Sequence, residues 1–251
     1  MEIHIATCLK CSFYLLRCLF NWRRLKNYWP LRRVVVYGES GVGKTQFLHS
    51  LQGEMVDVSS RTEDIKKYLW ILPDGHRILL IDTPGHQSLS HIRKRLDKEF
   101  TRKKIHGVIN LVANGYLYNS DADTSKVFTV DEPRKVKGEY LSENKERELK
   151  QIDEWLTNLH SENRVKWFMT IINKADIWYS EKDYVINGYK NGAYKQKTDK
   201  LEMSCDRVVC FPYCSIISPF GGLPMVLVMS ERNKWEMNNT VVEEIVTLSF
   251  G

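Results

Sequence analysis

The chain has 251 residues, 43% hydrophobic and 27% charged, which excludes global disorder and leaves room for a sizeable core. Its net charge of +6 sits in residues 1–33, where Lys10, Arg17, Arg23, Arg24, Lys26, Arg32 and Arg33 face only Glu2. The remainder is balanced, which argues against a nucleic-acid-binding domain with a basic footprint over a folded face.

Residues 1–33 read as an appendage to a domain over 34–251. Ile5, Leu9, Phe13, Leu16 and Phe20 recur at helical spacing, with Leu15, Leu19 and Trp22 widening the apolar arc. Such a helix suits a membrane interface, with its basic residues toward anionic headgroups. Packing on protein is a second reading. A membrane span is a third, made costly by Lys10 and Arg17 near its middle. Met-Glu at the start rules out N-myristoylation. Six cysteines fall in two groups, Cys8, Cys11 and Cys18, then Cys205, Cys210 and Cys214. One C-x-x-C with no second pair points to free or lipidated thiols in a reducing cytosol rather than zinc. The expected location is therefore cytoplasmic, peripheral to a membrane where the first helix engages one.

From Arg33 onward, short apolar strands alternate with polar helices, an α/β pattern. Val34–Tyr37 reads as a strand and Lys44–Leu51 as a helix. Between them, Gly38-Glu39-Ser40-Gly41-Val42-Gly43-Lys44-Thr45 matches G-x-x-x-x-G-K-[ST] in full. Glycines let backbone N–H groups wrap phosphate, and the helix N-terminus, running on into Gln46, presents positive dipole to anionic oxygen. Lys44 is suited to the β- and γ-phosphates and the Thr45 hydroxyl to Mg²⁺. Lys67–Leu72 and Arg77–Ile81 flank Pro73-Asp74-Gly75 and read as an antiparallel hairpin.

The second hairpin strand runs into Asp82-Thr83-Pro84-Gly85-His86. An Asp at a strand end beside a phosphate loop can hold a Mg²⁺-bound water, and Gly85 lets a backbone N–H approach the γ-phosphate. Val108–Ala113 is the next strand. Glu143–His160 is a charged amphipathic helix, with Leu149, Ile152, Leu156 and Leu159 inward. Val165–Ile172 is a buried strand that ends in Asn173-Lys174-Ala175-Asp176. The Asp176 carboxylate can accept from guanine N1–H and its 2-amino group, a donor pair adenine lacks. Asn173 can tie the base to the phosphate loop, and the Lys174 stem can cover the ring. Arg207–Pro212 is a last short strand. Polar stretches near 114–142 and 178–203 read as inserted loops.

These motifs, in this order, resemble the Ras-like and translation-factor-related class of P-loop GTPases, over roughly Val34 to Ile217. The resemblance implies a three-layer α/β fold, a mostly parallel six-stranded sheet with one antiparallel strand and helices on both faces. It implies GTP and GDP as ligands, with Mg²⁺. Thr62, about twenty residues before Asp82, stands where the metal-covering threonine of the first switch loop belongs, with Ser59 and Ser60 as rivals. The metal set is then Thr45, Thr62 and Asp82. His86 follows the Asp-x-x-Gly element, where Ras-like members carry Gln and translational members His, a place that orients attacking water. The alternative is a surface histidine in a loop. Cys214-Ser215-Ile216 resembles the turn that reads guanine O6, with Ile in place of the usual small residue. His86, Lys44 and Thr62 are thus the catalytic candidates.

Arg93, Arg95 and Arg134 are internal candidates for an arginine finger, but read first as solvated charges, since such fingers are often donated in trans. The resulting expectation is a slow GTPase switch with a protein effector or regulator and a possible nucleotide-dependent dimer. A recruitment module with negligible hydrolysis is the alternative, and an ATPase with the same phosphate loop is a third reading.

Overall fold

The computed structural model describes residues 31–53, 64–85, 104–118, 124–129, 135–159, 165–202, 205–217, 220 and 229–251. Six strands form one sheet: β1 (Leu31–Gly38), β2 (Lys66–Ile71), β3 (Arg77–Asp82), β4 (Gly107–Val112), β5 (Trp167–Ile172) and β6 (Arg207–Pro212). Their spatial order is β2-β3-β1-β4-β5-β6. All neighbours run parallel except β2 and β3, which pair antiparallel with Ile71 opposite Arg77. The hairpin turn closes through Gly75 N–H to the Leu72 carbonyl at 2.9 Å, and Gly75 supplies the positive φ of 92° that the turn requires.

Every residue of β4 and β5 is buried, as expected for central parallel strands covered on both faces. Alternate side chains serve two separate cores. Val35, Ile81, Val108, Val112, Phe168 and Ile172 face one side. Val34, Val36, Leu80, Ile109, Leu111, Met169 and Ile171 face the other. The second core is covered by α1 (Lys44–Leu51), through Phe47 and Leu48, and by the C-terminal helix, through Val241 and Ile245. Among the described residues the remaining helices are α2 (Thr124–Val127), α3 (Gly138–Leu159), α4 (Ala175–Trp178), α5 (Lys182–Asn191), α6 (Ala193–Glu202) and the C-terminal α7 (Glu231–Phe250). The first core takes Ile152 from α3, Val185 and Tyr189 from α5, and Tyr194 and Leu201 from α6. The architecture is the anticipated three-layer sandwich.

Several local expectations change. The stretch 178–203, read as an inserted loop, folds as a 3-10 turn (Tyr179–Glu181) followed by α5 and α6. Its aromatic residues are core residues: Tyr189 and Tyr194 stack edge to face at 4.9 Å. The stretch near 114–142 includes α2, a bridge between Phe128 and Val136, and the first turn of α3. Helix α7 had no counterpart in the sequence reading. It starts at Ser230, whose Oγ accepts from Asn233 N–H at 3.1 Å, and it buries Val241, Ile245 and Ser249 at successive i+4 steps. One close approach fixes the sheet spacing near β4. A Cβ on Gly107 would lie 2.1 Å from the buried Trp167 ring, so only glycine fits there.

Among the described residues no helix is long and apolar enough to cross a membrane. Residues 1–30, with the first cysteine group, lie outside the described residues.

Candidate functional site

The phosphate loop sits at the C-terminal end of β1 and runs into α1. Gly41 (φ 81°) and Gly43 (φ 92°) take left-handed conformations that L side chains resist, and this turns successive N–H groups inward. A Cβ on Gly41 would also lie 2.6 Å from the Tyr118 carbonyl. Lys44, only 7% exposed, donates from Nζ to the Gly38 carbonyl at 2.7 Å and to Glu39 at 3.1 Å. Burial pushes its ammonium down to about 8, while the carboxylates of Asp82 and Glu39 oppose the change.

Strand pairing brings the second element to this loop. Val36 is in register with Asp82, so the end of β3 lies beside the start of the phosphate loop. The Thr83 hydroxyl donates to the Val36 carbonyl at 3.0 Å and locks that register. The Thr45 hydroxyl reaches Asp82 Oδ2 at 3.4 Å. Two hard oxygen donors, one a fully buried carboxylate, thus meet beside Lys44. Gly85 completes the wall: a Cβ there would lie 2.6 Å from both Lys44 Nζ and Ser40 N.

The third element comes from the end of β5. Asn173 donates from Nδ2 to the Val42 carbonyl at 2.9 Å, inside the phosphate loop. Its Oδ1 accepts from Ser215 N–H at 3.2 Å and from Ser215 Oγ at 3.0 Å. One side chain therefore joins three separate stretches. Lys174 takes a left-handed conformation (φ 59°) and donates to the Gly41 and Tyr116 carbonyls, each at 2.7 Å. Burial pushes it down to about 8, against Asp176 and Glu148. Its ammonium lies 5.3 Å from the Phe220 ring centroid. Asp176 is 5% exposed and accepts from Cys214 Sγ at 3.6 Å. Burial first, and Asp176 second, push the Cys214 thiol far up, which keeps it a neutral donor.

Lys44, Thr45, Asp82, Gly85, Asn173, Lys174, Asp176 and Ser215 are thereby gathered around one loop. Ile216 follows Ser215, and its carbonyl accepts from Cys214 Sγ at 3.4 Å. Thr62, His86, their rivals Ser59 and Ser60, and Arg93, Arg95 and Arg134 lie outside the described residues.

Other contributors had not been singled out from the sequence. Asn238 of α7 brackets Cys214, accepting from its N–H and donating to its carbonyl. Glu148 of α3 is 1% exposed and accepts from Ala113 N–H at 2.7 Å, Gly115 N–H at 3.3 Å and Tyr189 Oη at 2.6 Å. Burial pushes its carboxyl up, and those donors hold it back. Tyr189 Oη in turn accepts from Asn114 N–H at 3.1 Å. This buried group pins the turn after β4, from which Tyr116 offers its carbonyl to Lys174. A charged or polar residue among the inward positions of α3 was the only signal in the sequence.

A G-x-x-x-x-G-K-T loop, an Asp at the end of the neighbouring strand and an Asn-Lys-x-Asp turn, on this sheet order, define a P-loop GTPase domain of the translation-factor-related type. A family model described as 50S ribosome-binding GTPase matches residues 33–174, more than half of the chain, and the chain belongs to that family. Translation initiation factor IF-2 of Zymomonas mobilis subsp. mobilis is 37% identical over 65 residues, which cover 25% of this chain and 7% of that protein. The chain therefore spans only a small part of that relative's length. A solved structure of the chloroplast translocon components atToc33 and psToc159, whose dimerization is described as important for GTPase activity, shares the fold. It matches with a TM-score of 0.51 and 16% identity, over 92% of this chain and 88% of that one. Membership of this family makes the chain a guanine-nucleotide-binding GTPase domain.

Proposed function

We propose that this chain binds GTP together with Mg²⁺ in the pocket around Lys44, hydrolyses it slowly to GDP, and acts as a nucleotide-controlled switch. The observation that carries this reading is the bond from Asn173 Nδ2 to the Val42 carbonyl, which ties the base-reading turn to the phosphate loop. Lys44 would leave its loop carbonyls for β- and γ-phosphate oxygen. The Asp176 carboxylate would accept from the guanine N1–H and 2-amino donors, and Ser215-Ile216 would offer backbone N–H groups toward O6.

The approach of Thr45 Oγ1 to Asp82 Oδ2 fits a small hard cation, which prefers oxygen ligands. Thr45 would ligate Mg²⁺, Asp82 would hold one of its waters, and Thr62 would cover it in the GTP state. The ion supplies neutralisation of developing phosphate charge. His86, following Gly85, would orient the attacking water. Relaxation of the Thr62 and His86 segments after hydrolysis would change a surface read by a protein effector or regulator. Residues 1–33 would hold the chain at a membrane surface through their basic amphipathic helix. A nucleotide-dependent dimer is part of the same proposal, by analogy with the translocon components.

Two measurements test this together. Fluorescent GTP should bind the wild type, and Asp176→Asn should abolish the preference for guanine while improving binding of xanthosine triphosphate. Single-turnover hydrolysis should be measurable and should fall about 10²-fold or more in His86→Ala. An unchanged guanine preference in Asp176→Asn removes the base assignment. Tight GTP binding with no turnover, even with candidate partners, selects the recruitment-module reading instead.

A further inference from the structure

The end of the sheet opposite the nucleotide site carries an ordered bank of cations. All five parallel strands begin there. Arg32 and Arg33 stand at the start of β1, Arg77 at the start of β3, Lys104 and Lys166 just before β4 and β5, and Arg207 at the start of β6. Backbone bonds prove their adjacency. His106 N–H donates to the Arg33 carbonyl at 2.8 Å, Lys166 N–H to His106 at 2.9 Å, and Asp206 N–H to Lys166 at 2.9 Å. Arg33, His106 and Lys166 are therefore steps of one row, set about 4.8 Å apart from strand to strand.

Lys104, Lys166 and Arg207 are exposed, and the three arginines of β1 and β3 are half-buried. Carboxylates of the described residues here are Asp74, engaged by His76; Glu244, 3.5 Å from Arg207; and Asp206. Cations outnumber them two to one. His106 registers the imbalance: burial, then Arg32, Lys104, Arg33 and Lys166, drive its imidazole down to about 4. Residues 34–251 are balanced in total charge, so much of the excess at this pole comes from Arg32 and Arg33.

Apolar groups share the pole. Ile71, at this end of the edge strand β2, is 42% exposed, and Leu69 on the same side of β2 is 49% exposed. Phe250 lies partly exposed beneath Arg32, whose guanidinium carbon is 5.5 Å from its ring centroid. Cations rimming exposed aliphatic groups match an anionic lipid interface, where charge meets headgroups and apolar side chains enter the boundary. The chain also enters the domain here. Leu31, where the described residues begin, pairs with Arg77, and Arg77 with Ile71.

We propose that this pole of the folded domain rests on an anionic lipid surface, leaving the nucleotide site turned to solvent at the opposite end. This proposal rests on the lipid reading given above for residues 1–33, with which it shares Arg32 and Arg33, and extends it to the strand starts of β3 to β6. It predicts that the domain itself, and not only its N-terminal segment, contributes to membrane affinity and sets orientation.

The test uses the full chain with vesicles of phosphatidylcholine, with and without phosphatidylserine. Lys104→Gln/Lys166→Gln removes two exposed cations from the pole. Lys126→Gln/Lys182→Gln removes two exposed cations from the nucleotide end and keeps the same net charge. Each cation near an anionic surface is worth about fivefold, so the polar pair should weaken binding to phosphatidylserine vesicles about 25-fold, and the control pair less than twofold. GTP affinity should be unchanged in both, which verifies folding. If wild type ignores phosphatidylserine, this proposal and the lipid reading of residues 1–33 both fall. If wild type binds and the polar pair binds equally well, or both pairs weaken alike, only the present proposal is overturned. Loss of binding to a labelled RNA oligonucleotide with vesicle binding intact overturns it in favour of a nucleic-acid ligand.

Discussion

The side-chain amide of Asn238 holds Cys214 from both sides, accepting from its N–H at 3.2 Å and donating to its carbonyl at 2.8 Å. Asn238 belongs to α7, far along the chain from the motifs that define the site. Cys214 in turn donates to Asp176 and precedes Ser215, which bonds Asn173. Replacing Asn238 by Ala should leave two partly buried backbone groups short of partners and cost about 1–3 kcal/mol of stability. It should also weaken GDP and GTP binding roughly tenfold, because the turn behind Asp176 loosens. Thermal melts and fluorescent-nucleotide titrations check both numbers. A loss of stability with unaltered nucleotide affinity would reduce Asn238 to a packing residue.

The two buried lysines give a pH signature with a defined sign. Lys44 and Lys174 are each lowered from 10.5 to about 8 in the nucleotide-free chain. Between those values the unfolded chain holds more protons than the fold, so stability rises with pH from about 8. The buried thiols of Cys210 and Cys214, raised from 9.0, oppose this once unfolded thiols ionise, and Tyr189 and Tyr194, raised above 10.0, add to the opposition at higher pH. The window in which the lysines dominate is therefore about pH 8 to 9. Urea titrations across it should give increasing stability, and a flat or falling trend contradicts the burial of these ammonium groups. Phosphate oxygen reverses the preference at Lys44. Nucleotide binding should take up protons near pH 8.5, with affinity falling by up to about tenfold per pH unit above about 8. Calorimetric titration in two buffers of different ionisation enthalpy reads that uptake directly.

Much of the site was legible because its chemistry depends on residue types at short range. Gly41, Gly43 and Lys44 announce a phosphate loop wherever they follow an apolar strand, and Asn173-Lys174-Ala175-Asp176 is equally local. The hairpin was legible from Pro73-Asp74-Gly75. Helices α5 and α6 were not, because Tyr189 and Tyr194 sit among Lys and Asn and look like loop residues until their burial is known. The core spacing Val185–Tyr189 and Tyr194–Thr198–Leu201 was present, but masked by composition. Helix α7 hid for the same reason, its stripe of Val241 and Ile245 being narrow. Glu148 and Asn238 act through partners remote in sequence, which no local pattern encodes. Thr62 and His86 remain positional assignments.

Glu148 and Tyr189 offer a sharper test of that remote support. Tyr189→Phe removes the 2.6 Å donor to a buried carboxylate that also holds Ala113 and Gly115. The expected loss is about 1–3 kcal/mol. Glu148→Gln should lose a similar amount, and the double variant less than the sum, since both act in one network. Additive losses would place the two side chains in separate networks. Nucleotide dissociation should accelerate in each single variant, because the Tyr116 carbonyl that receives Lys174 Nζ is carried by the turn they pin.

Gly107→Ala probes the sheet alone. Its new methyl would collide with Trp167, and overpacking of this kind typically destabilises by about 1–3 kcal/mol. GTP affinity of the folded fraction should be unchanged, since Gly107 is at the far end of β4. The pairing of melting temperature with nucleotide affinity separates this variant from Asn238→Ala, where both should move.

The bracket that Asn238 places around Cys214 has a consequence for biosynthesis. Translation delivers the phosphate loop early, the Asn-Lys-x-Asp turn later, and residue 238 after both. A nascent chain can thus fold its sheet and still lack the brace behind its purine pocket until α7 leaves the ribosome. Firm retention of nucleotide waits for residue 238, and translation products truncated before it are denied it.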